Sequence, residues 1–527
     1  MHYVKKKPEF GTGFNAVSVV SIASCNSPLV LLANLISRES VEQVFDTTEI
    51  HCNFITAYYS MVQFALAARP IAPDRNLEIR RPRKMLGCHI GRCFQVTVAG
   101  GSYQEGLTSV IQGVPPGMLL TEQEIYGDLL LRKPGADELS SPRKEPDLPI
   151  IYSGLNAADT IENAGNRNHT NGTPLVILIP NLDRHFIHIK QYQDTNRTPR
   201  PGHASYASFI KYGPDDDAIG AGFFSGRYTS TIVAAGYVAK RVLKKCGIEV
   251  FAYVKEIAGV RCPDVPHDEA LKYTDDYKKM RRDLDPFYQE IYEKGRINMD
   301  MRFLEKTRVL AEIEKEIDAI RSKAPKLKPA EIQDRYNVHP IVNSPNMKAA
   351  QAMVDACRRI SATGDSAGGV VEVVVTGVPV GLGEPVFYKL DAELGRMLGI
   401  GAVKGVEVGA GFAVKDMTGS QDNDQMRAEK DKVTFLSNNA GGITGGLATG
   451  QPIVVRLTVK PTPTIDKPQR TIDKYTLENK ELAAITRRDP TIVARIWPVA
   501  ENFTALVILD HLLVHYGYQT LKEKAES

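Results

Sequence analysis

Two short sequence patterns each occur twice along the chain, in the same order. The stretch 113–117 reads GVPPG and returns at 377–381 as GVPVG, while 171–177 reads NGTPLVI and returns at 449–455 as TGQPIVV. The two offsets, 264 and 278 residues, are close enough for one duplicated unit with small insertions. We therefore predict two similar halves. The alternative to a duplication is that unrelated segments use the same turn residues independently.

Local patterns predict a chain of mixed α and β structure. The stretch 94–99 alternates as a strand does, and 174–179 is apolar as a buried strand is. Thr121 and Glu124 form a capping-box pattern that opens a helix, and a second helical pattern covers 230–244. Alternating strands and helices are typical of a layered α and β domain.

Between 263 and 340 the composition becomes rich in charge. Ile313, Ile317 and Ile320 are spaced for one face of a helix within this segment. We expect a helical insertion. The simpler alternative is a solvated helical hairpin, and the other is a helical surface that docks on the domain or contacts another subunit.

Composition excludes several classes of protein. The 527 residues carry 65 basic and 62 acidic side chains, so a net charge of +3 gives no reason to expect a nucleic-acid partner. Seven cysteines include no CxxC pair, which argues against a disulfide framework and against a zinc or other metal site. We expect a cytoplasmic protein.

The first 84 residues differ from the rest. A basic triplet at 5–7 precedes an apolar stretch at 16–36, as in an export signal, but the polar and proline residues at 26–28 interrupt it. We expect no membrane span there. Read-through of upstream sequence is one explanation for this segment, and a targeting extension is the other.

A glycine-rich run at 437–446 precedes a predicted strand at 451–459 and then Lys460. Four glycines in this run allow backbone N–H groups to approach a flat or anionic ligand. We predict a phosphate near both Lys460 and the turn at 440–442. A flexible surface loop is the alternative.

Several motifs taken together resemble the chorismate synthase family. In order, they are GVPPG at 113–117, RPGHA at 200–204, GDS at 364–366, GVPVGLGEP at 377–385, AVKGVE at 402–407, GSQ at 419–421, the loop at 439–446, KPT at 460–462 and RRDP at 487–490. The ordered set spans about 85–518. No single motif is diagnostic, but their common order is specific.

The resemblance implies an α+β fold, a β-α-β sandwich built from two related halves. With the composition, it gives four expected segments: 1–84 as an N-terminal extension outside the fold, 85–262 as the first half, 263–340 as the charged helical insertion and 341–527 as the second half with the flavin-binding loop. It also implies a homotetramer.

The family's reaction is an anti 1,4-elimination of phosphate from 5-enolpyruvylshikimate 3-phosphate, which yields chorismate in the shikimate pathway of aromatic amino-acid biosynthesis. The enzyme is a carbon–oxygen lyase that needs reduced FMN although the reaction has no net oxidation. No GxGxxG follows a predicted strand, so no nicotinamide-binding domain is expected and the flavin reductant is external.

Family roles carry over to several residues. His203 matches a histidine that serves the reduced flavin as proton donor, and Asp489 matches an aspartate near the flavin. The expected substrate-binding residues are Arg487, Arg132 and Arg143. The expected cofactor-binding residues are Asn439, Ala440, Gly441, Gly442, Lys460, Thr462, Thr464, Ser225 and Arg227.

One signature departs from the family pattern. Gly-Glu-Ser-His-Gly is replaced by GGSYQ at 100–104, so Ser102 is kept and Tyr103 stands where a histidine assists phosphate departure. Tyrosine can donate a proton, but its pKa near 10 makes it a weaker acid than imidazolium. A non-catalytic paralogue that binds flavin or phosphate is therefore the alternative function.

Overall fold

The computed structural model describes residues 87–134, 137–140, 145–159, 164–183, 196–217, 219–430, 432–484 and 489–526. The expectations for 1–84, and those for Arg143 and Arg487, lie outside these ranges. The strands are β1 (His89–Ile90), β2 (Gln95–Gly100), β3 (Gly106–Gln112), β4 (Ile150–Ser153), β5 (Leu175–Pro180), β6 (Glu249–Ile257), β7 (Val260–Arg261), β8 (Gly369–Thr376), β9 (Val403–Val408), β10 (Met426–Glu429), β11 (Lys432–Phe435), β12 (Ile443–Thr444), β13 (Leu447–Ala448), β14 (Ile453–Val459), β15 (Gln469–Ile472) and β16 (Asn479–Leu482).

The α-helices are α1 (Glu122–Arg132), α2 (Ser205–Tyr212), α3 (Thr229–Lys245), α4 (His267–Leu284), α5 (Phe303–Ser322), α6 (Pro329–Tyr336), α7 (Met347–Ala362), α8 (Leu390–Gly395), α9 (Gly419–Asp422) and α10 (Val493–Glu526). The predicted strands and both predicted helices are confirmed to within two residues. The capping box of α1 is present, because Thr121 accepts from the amide of Glu124 and the Glu124 carboxylate accepts from the amide of Thr121.

Two five-stranded antiparallel sheets form the outer layers. The first has the strand order β1-β2-β3-β5-β4 and the second β7-β6-β8-β14-β9. Ile111 of β3 pairs with Leu175 of β5, and Val375 of β8 pairs with Ile453 of β14. These equivalent pairs are separated by 264 and 278 residues, the same offsets that the sequence repeats show. The prediction of two related halves is confirmed.

Helices fill the space between the sheets. Helix α3 contacts β3 and β5 of the first sheet and β6 of the second, while α10 packs along α3 and against β6 and β8. This arrangement confirms the predicted α+β sandwich. In the described part of the chain, α10 is long and apolar enough to cross a bilayer, but 94% of its most apolar window is buried in the protein. Its position in the core therefore accounts for its apolarity.

The charged segment contains α4, α5, α6 and a helical turn at Tyr288–Glu293. Ile313, Ile317 and Ile320 are buried, which confirms their predicted common face. The expectation of a solvated hairpin is wrong, because α4 packs on α1 and on the outer face of β6. Ala270 there covers Phe251 of β6, an apolar side chain that solvent would otherwise reach.

Candidate functional site

A cavity of about 900 Å³ is lined by eight of the sixteen predicted site residues. Among the described residues, its wall contains seven lysine or arginine side chains and four aspartate or glutamate side chains, so this part of its lining is cationic. The volume is at the upper end of the range for small-molecule sites, which suits a cofactor together with a small substrate. The predicted residues that line it are Arg132, His203, Ser225, Arg227, Lys460, Thr462, Thr464 and Asp489.

His203 lies in the loop before α2, where its ring faces two cations. Its Nδ1 accepts from the amide of Ser205 at 3.2 Å, which leaves the proton of the neutral ring on Nε2. The guanidinium of Arg200 is 3.3 Å from Nε2. Burial, and then the charges of Arg200 and Lys460, lower the pKa of His203 to about 4. The ring is therefore neutral at pH 7, although the sequence argument assumed a pKa near neutrality.

The end of β14 brings distant segments to one corner of the cavity. The amide of Lys460 donates to the carbonyl of Ala402 at 2.9 Å, and its ammonium donates to the carbonyl of Gly202. Thr462 donates from its hydroxyl to the carbonyl of Asp489 at 2.8 Å. Lys460 is thereby held beside the His203 loop, with its charge directed toward the cavity wall.

Two predicted arginines are buried among carboxylates. Arg132 donates to Asp147 at 2.8 Å, and Arg227 forms ion pairs with Asp147 and, at 3.1 Å, with Glu145. Asn181 accepts from Nε of Arg227 at 2.9 Å. The carboxylates offset part of the positive charge and fix both guanidinium groups at the wall through buried ion pairs.

Ser102 and Tyr103 lie next to the cavity wall rather than in its lining. The Ser225 hydroxyl donates to that of Ser102 at 3.3 Å. A Cβ at Gly220 would overlap the ring of Tyr103, so the ring packs directly on the backbone of the Gly220 segment. Gly220 itself lines the cavity. The structure thus brings Ser102 and Tyr103 to the site through Ser225 and Gly220.

Asp489 has a partner that the sequence argument missed. Arg495, in the first turn of α10, pairs with Asp489 at 2.8 Å, while Arg487, which is expected to bind the substrate, lies outside the described residues. A cation in the first turn opposes the helix macrodipole, and this signal could have identified Arg495. Arg200 was part of a recognised motif but had been given no role.

The glycine-rich turn does not reach this cavity within one copy of the chain. The turn precedes β14 and Lys460 follows it, so the seven residues of β14 separate them by roughly 23 Å. The prediction that one phosphate contacts both is wrong for a single copy.

The donors of that turn have internal acceptors. Asp424 accepts from the amides of Asn439 and Ala440 at 2.7 and 2.9 Å, and the side chain of Asn438 accepts from the amide of Gly442 at 2.7 Å. These bonds, with one from Ser437, lower the pKa of the Asp424 carboxyl against the opposing effect of its burial. The turn therefore cradles an anion, and that anion is Asp424.

Comparison with known proteins identifies the family. A family model described as chorismate synthase matches residues 94–513. A chorismate synthase from Acetivibrio thermocellus is 36% identical over 459 residues, which cover 84% of this chain and 98% of that protein. One from Pyrococcus abyssi is 36% identical over 424 residues, 80% of this chain and 97% of that one.

A solved structure gives the same result for the fold. A crystal structure of chorismate synthase matches with a TM-score of 0.53 and 23% sequence identity, over 80% of this chain and 92% of that chain. The sandwich of two related halves, the order of the motifs and the extent of the family match agree with one another. The chain belongs to the chorismate synthase family.

Proposed function

We propose that this protein is a lyase that eliminates phosphate from 5-enolpyruvylshikimate 3-phosphate to give chorismate, with reduced FMN as cofactor. The observation that carries the proposal is the placement of neutral His203 between Arg200 and Lys460 in a cationic cavity. The substrate bears a phosphate and two carboxylates, and charge-assisted hydrogen bonds from arginine and lysine recognise such groups.

The cavity fits the cofactor as well as the substrate. Its volume accommodates a second molecule, and Lys460, Thr462 and Thr464 offer a cation and two hydroxyls at one corner for the cofactor phosphate. Ser225 and Arg227, which also line the cavity, are further proposed cofactor-binding residues. When bound, reduced FMN would be the source of electron density for the substrate ring.

The chain's own residues bind charge and hold protons during the elimination. The carbon–oxygen bond to phosphate breaks, phosphate leaves with the electron pair, a ring proton is removed and a second ring double bond forms. Arg132 would hold the substrate by an anionic group, and Asp489 would be kept in position by Arg495. His203 would hold its Nε2 proton at the cavity wall, where the cofactor is proposed to bind. Preorganised cations stabilise the charge that develops on the phosphate.

Assembly into a homotetramer is part of the proposal. Among the described residues, eleven exposed large apolar side chains lie between 380 and 447, including Phe387 and Phe412 at 88% and 77% exposure. A contiguous apolar patch is typical of an interface between subunits, and we propose that these side chains contribute to one. Leu436 and Leu447 flank the glycine-rich turn within this region. Since residues 439–442 do not reach the cavity of their own chain, they would contact a flavin bound in the cavity of a second subunit.

An assay of phosphate release tests the proposed function. Anaerobic incubation with chemically reduced FMN and 5-enolpyruvylshikimate 3-phosphate is expected to release phosphate and form chorismate in equal amounts. The reductant is added from outside, since we propose no intrinsic flavin reduction. Tight flavin binding without any release would instead indicate the non-catalytic paralogue.

A further inference from the structure

The helical insertion is joined to α1 by a buried ion pair at each end of that helix. At the start of α1, Glu122 pairs with Lys306 of α5 at 2.5 Å, and both side chains are buried. The same carboxylate oxygen of Glu122 accepts from the amide of Ile151 in β4 at 3.2 Å. Lys306 thus reaches across to a carboxylate that already links α1 to the first sheet.

At the other end, Lys133 follows α1 and pairs with Asp285, just after α4. Lys133 also donates to the hydroxyl of Tyr126 at 3.1 Å, and that hydroxyl donates to Asp285 at 3.0 Å. The ammonium lies 4.9 Å from the ring centroid of Phe287. Burial lowers the pKa of Lys133, and the Asp285 charge opposes that shift.

Asp285 is itself fixed by the insertion. It accepts from the amide of Tyr288 at 2.8 Å, at the start of the helical turn 288–293. The ring of Tyr292 in that turn packs on Tyr126 of α1, with 5.2 Å between centroids. Gln123 of α1 donates to Glu293 at 3.0 Å. The contact is therefore a rigid network and not one isolated pair.

Arg132 is the last residue of α1 and lies directly before Lys133 in the chain. Its guanidinium lies at the cavity wall and donates to Asp147 at 2.8 Å. Any sliding or rotation of α1 would displace this group, and a shift of about 1 Å at a binding group can cost a hundredfold in rate. The two pairs with the insertion oppose such motion at both ends of α1.

We propose that the insertion is a positioning element of the site: Asp285 and Lys306 hold α1 by its two ends so that Arg132 is presented to an anionic group of the substrate. The inference rests on the proposed function for the identity of that substrate. Asp285 acts through Lys133 and α1, without contact to the reacting atoms, and is a positioning residue.

The primary test is Asp285→Asn, compared with Asp283→Asn. Asp283 lies at the end of α4, two residues before Asp285, and accepts from Tyr336 within the insertion at 3.0 Å, so it is a matched control. We expect Asp285→Asn to raise KM for the substrate roughly ten- to a hundredfold, with FMN affinity unchanged. Asp283→Asn is expected to leave both at the parent values. Equal KM values for the two variants would overturn the inference.

A double-mutant cycle with Arg132→Lys separates positioning from general damage. If Asp285 acts through Arg132, then Asp285→Asn causes little further loss in the Arg132→Lys background, and the effects are non-additive. Additive losses would show that Asp285 affects the site by another route and would contradict the proposal.

Two further measurements keep the test decisive. Because an uncompensated buried Lys133 can unfold the protein, Lys133→Met/Asp285→Asn removes both charges. If this folded variant has the parent KM, the ion pair does not position Arg132. Hydrogen exchange of amides 130–133 needs no substrate, so it remains informative even if the parent releases no phosphate. Asp285→Asn should accelerate that exchange and Asp283→Asn should not; equal exchange would refute the inference.

Discussion

The ammonium of Lys460 donates to the carbonyl of Gly202, the residue before His203. The two residues are 258 positions apart, yet the contact links the end of β14 to the loop that carries the predicted proton donor. A single side chain thereby fixes that loop and brings a positive charge near the imidazole. Its removal is expected to change both cofactor binding and the titration of His203.

Lys460→Ala is expected to weaken FMN binding roughly tenfold or more, because a charge-assisted hydrogen bond contributes about 1.5–3 kcal/mol. Substrate affinity should change less. Lys467→Ala is a matched control, since Lys467 pairs with Asp365 at 2.8 Å and is not in the cavity wall. Flavin titration measures the effect, and an unchanged FMN Kd in Lys460→Ala would contradict this placement.

The pKa of His203, lowered from 6.5 to about 4, predicts a specific pH dependence. Between these values the unfolded chain binds a proton that the folded protein does not, so stability falls as the pH drops from 6.5 toward 4. His511, outside the cavity, also has a pKa lowered to about 4 and serves as the control.

Adding inorganic phosphate should affect the pKa values of the two histidines differently. An anion in the cavity should raise the pKa of His203 and leave that of His511 unchanged. Ring proton chemical shifts followed by NMR, and assigned with His203→Gln and His511→Gln, report both titrations. A parallel shift of both histidines would show that the effect is not local to the cavity.

The features of the fold that are predictable from the sequence are those with a local or repeated pattern. The capping box at Thr121, the strand periods and the two repeat offsets depend on neighbours or on backbone pairing that a duplication preserves. Contacts made by charged side chains across long separations have no such signature. Lys306 and Glu122 are 184 residues apart, and their pairing depends on how α5 packs against α1. The glycine-rich turn was expected to donate its amide hydrogens to a ligand phosphate. Those of Asn439 and Ala440 are instead accepted by Asp424 of the same chain, a contact that the sequence pattern does not show.

Gly236→Ala is expected to destabilise the protein although alanine is the better helix former. A Cβ at this position of α3 would overlap the backbone and side chain of Asn502 in α10. The overlap should cost about 1–3 kcal/mol. Gly517→Ala, in α10 with open space around it, should stabilise by roughly 0.5–1 kcal/mol. Urea unfolding measures both, and stabilisation by Gly236→Ala would show that the two helices separate readily.

A chain that starts at Met85 is expected to fold, assemble and turn over like the full protein. The family match starts at residue 94, and the repeated halves lie wholly after 85. Light scattering and phosphate release, compared between the truncated and full chains, measure assembly and activity. An insoluble or monomeric truncated chain would mean that 1–84 contributes to the structure.

Tyr103 is the position at which this chain departs furthest from the family pattern. Its neighbour Ser102 contacts Ser225 of the cavity wall, and its ring packs on Gly220. If the hydroxyl donates to the departing phosphate, Tyr103→Phe should slow turnover by roughly ten- to a thousandfold, the range for loss of one transition-state donor. Tyr152→Phe, at an exposed tyrosine outside the cavity wall, is the control and should have parent activity.

Tyr103→His restores the residue that the family pattern has at this position. This variant should keep or raise activity and add a pH dependence near neutrality, because imidazole titrates there. Parent-like turnover in Tyr103→Phe would mean that the ring only packs on Gly220 and that cations such as Arg132 stabilise the leaving group alone. A slow Tyr103→Phe beside an active Tyr103→His would instead indicate a polar group that assists phosphate departure at this position, because tyrosine and histidine both carry a polar hydrogen and phenylalanine does not.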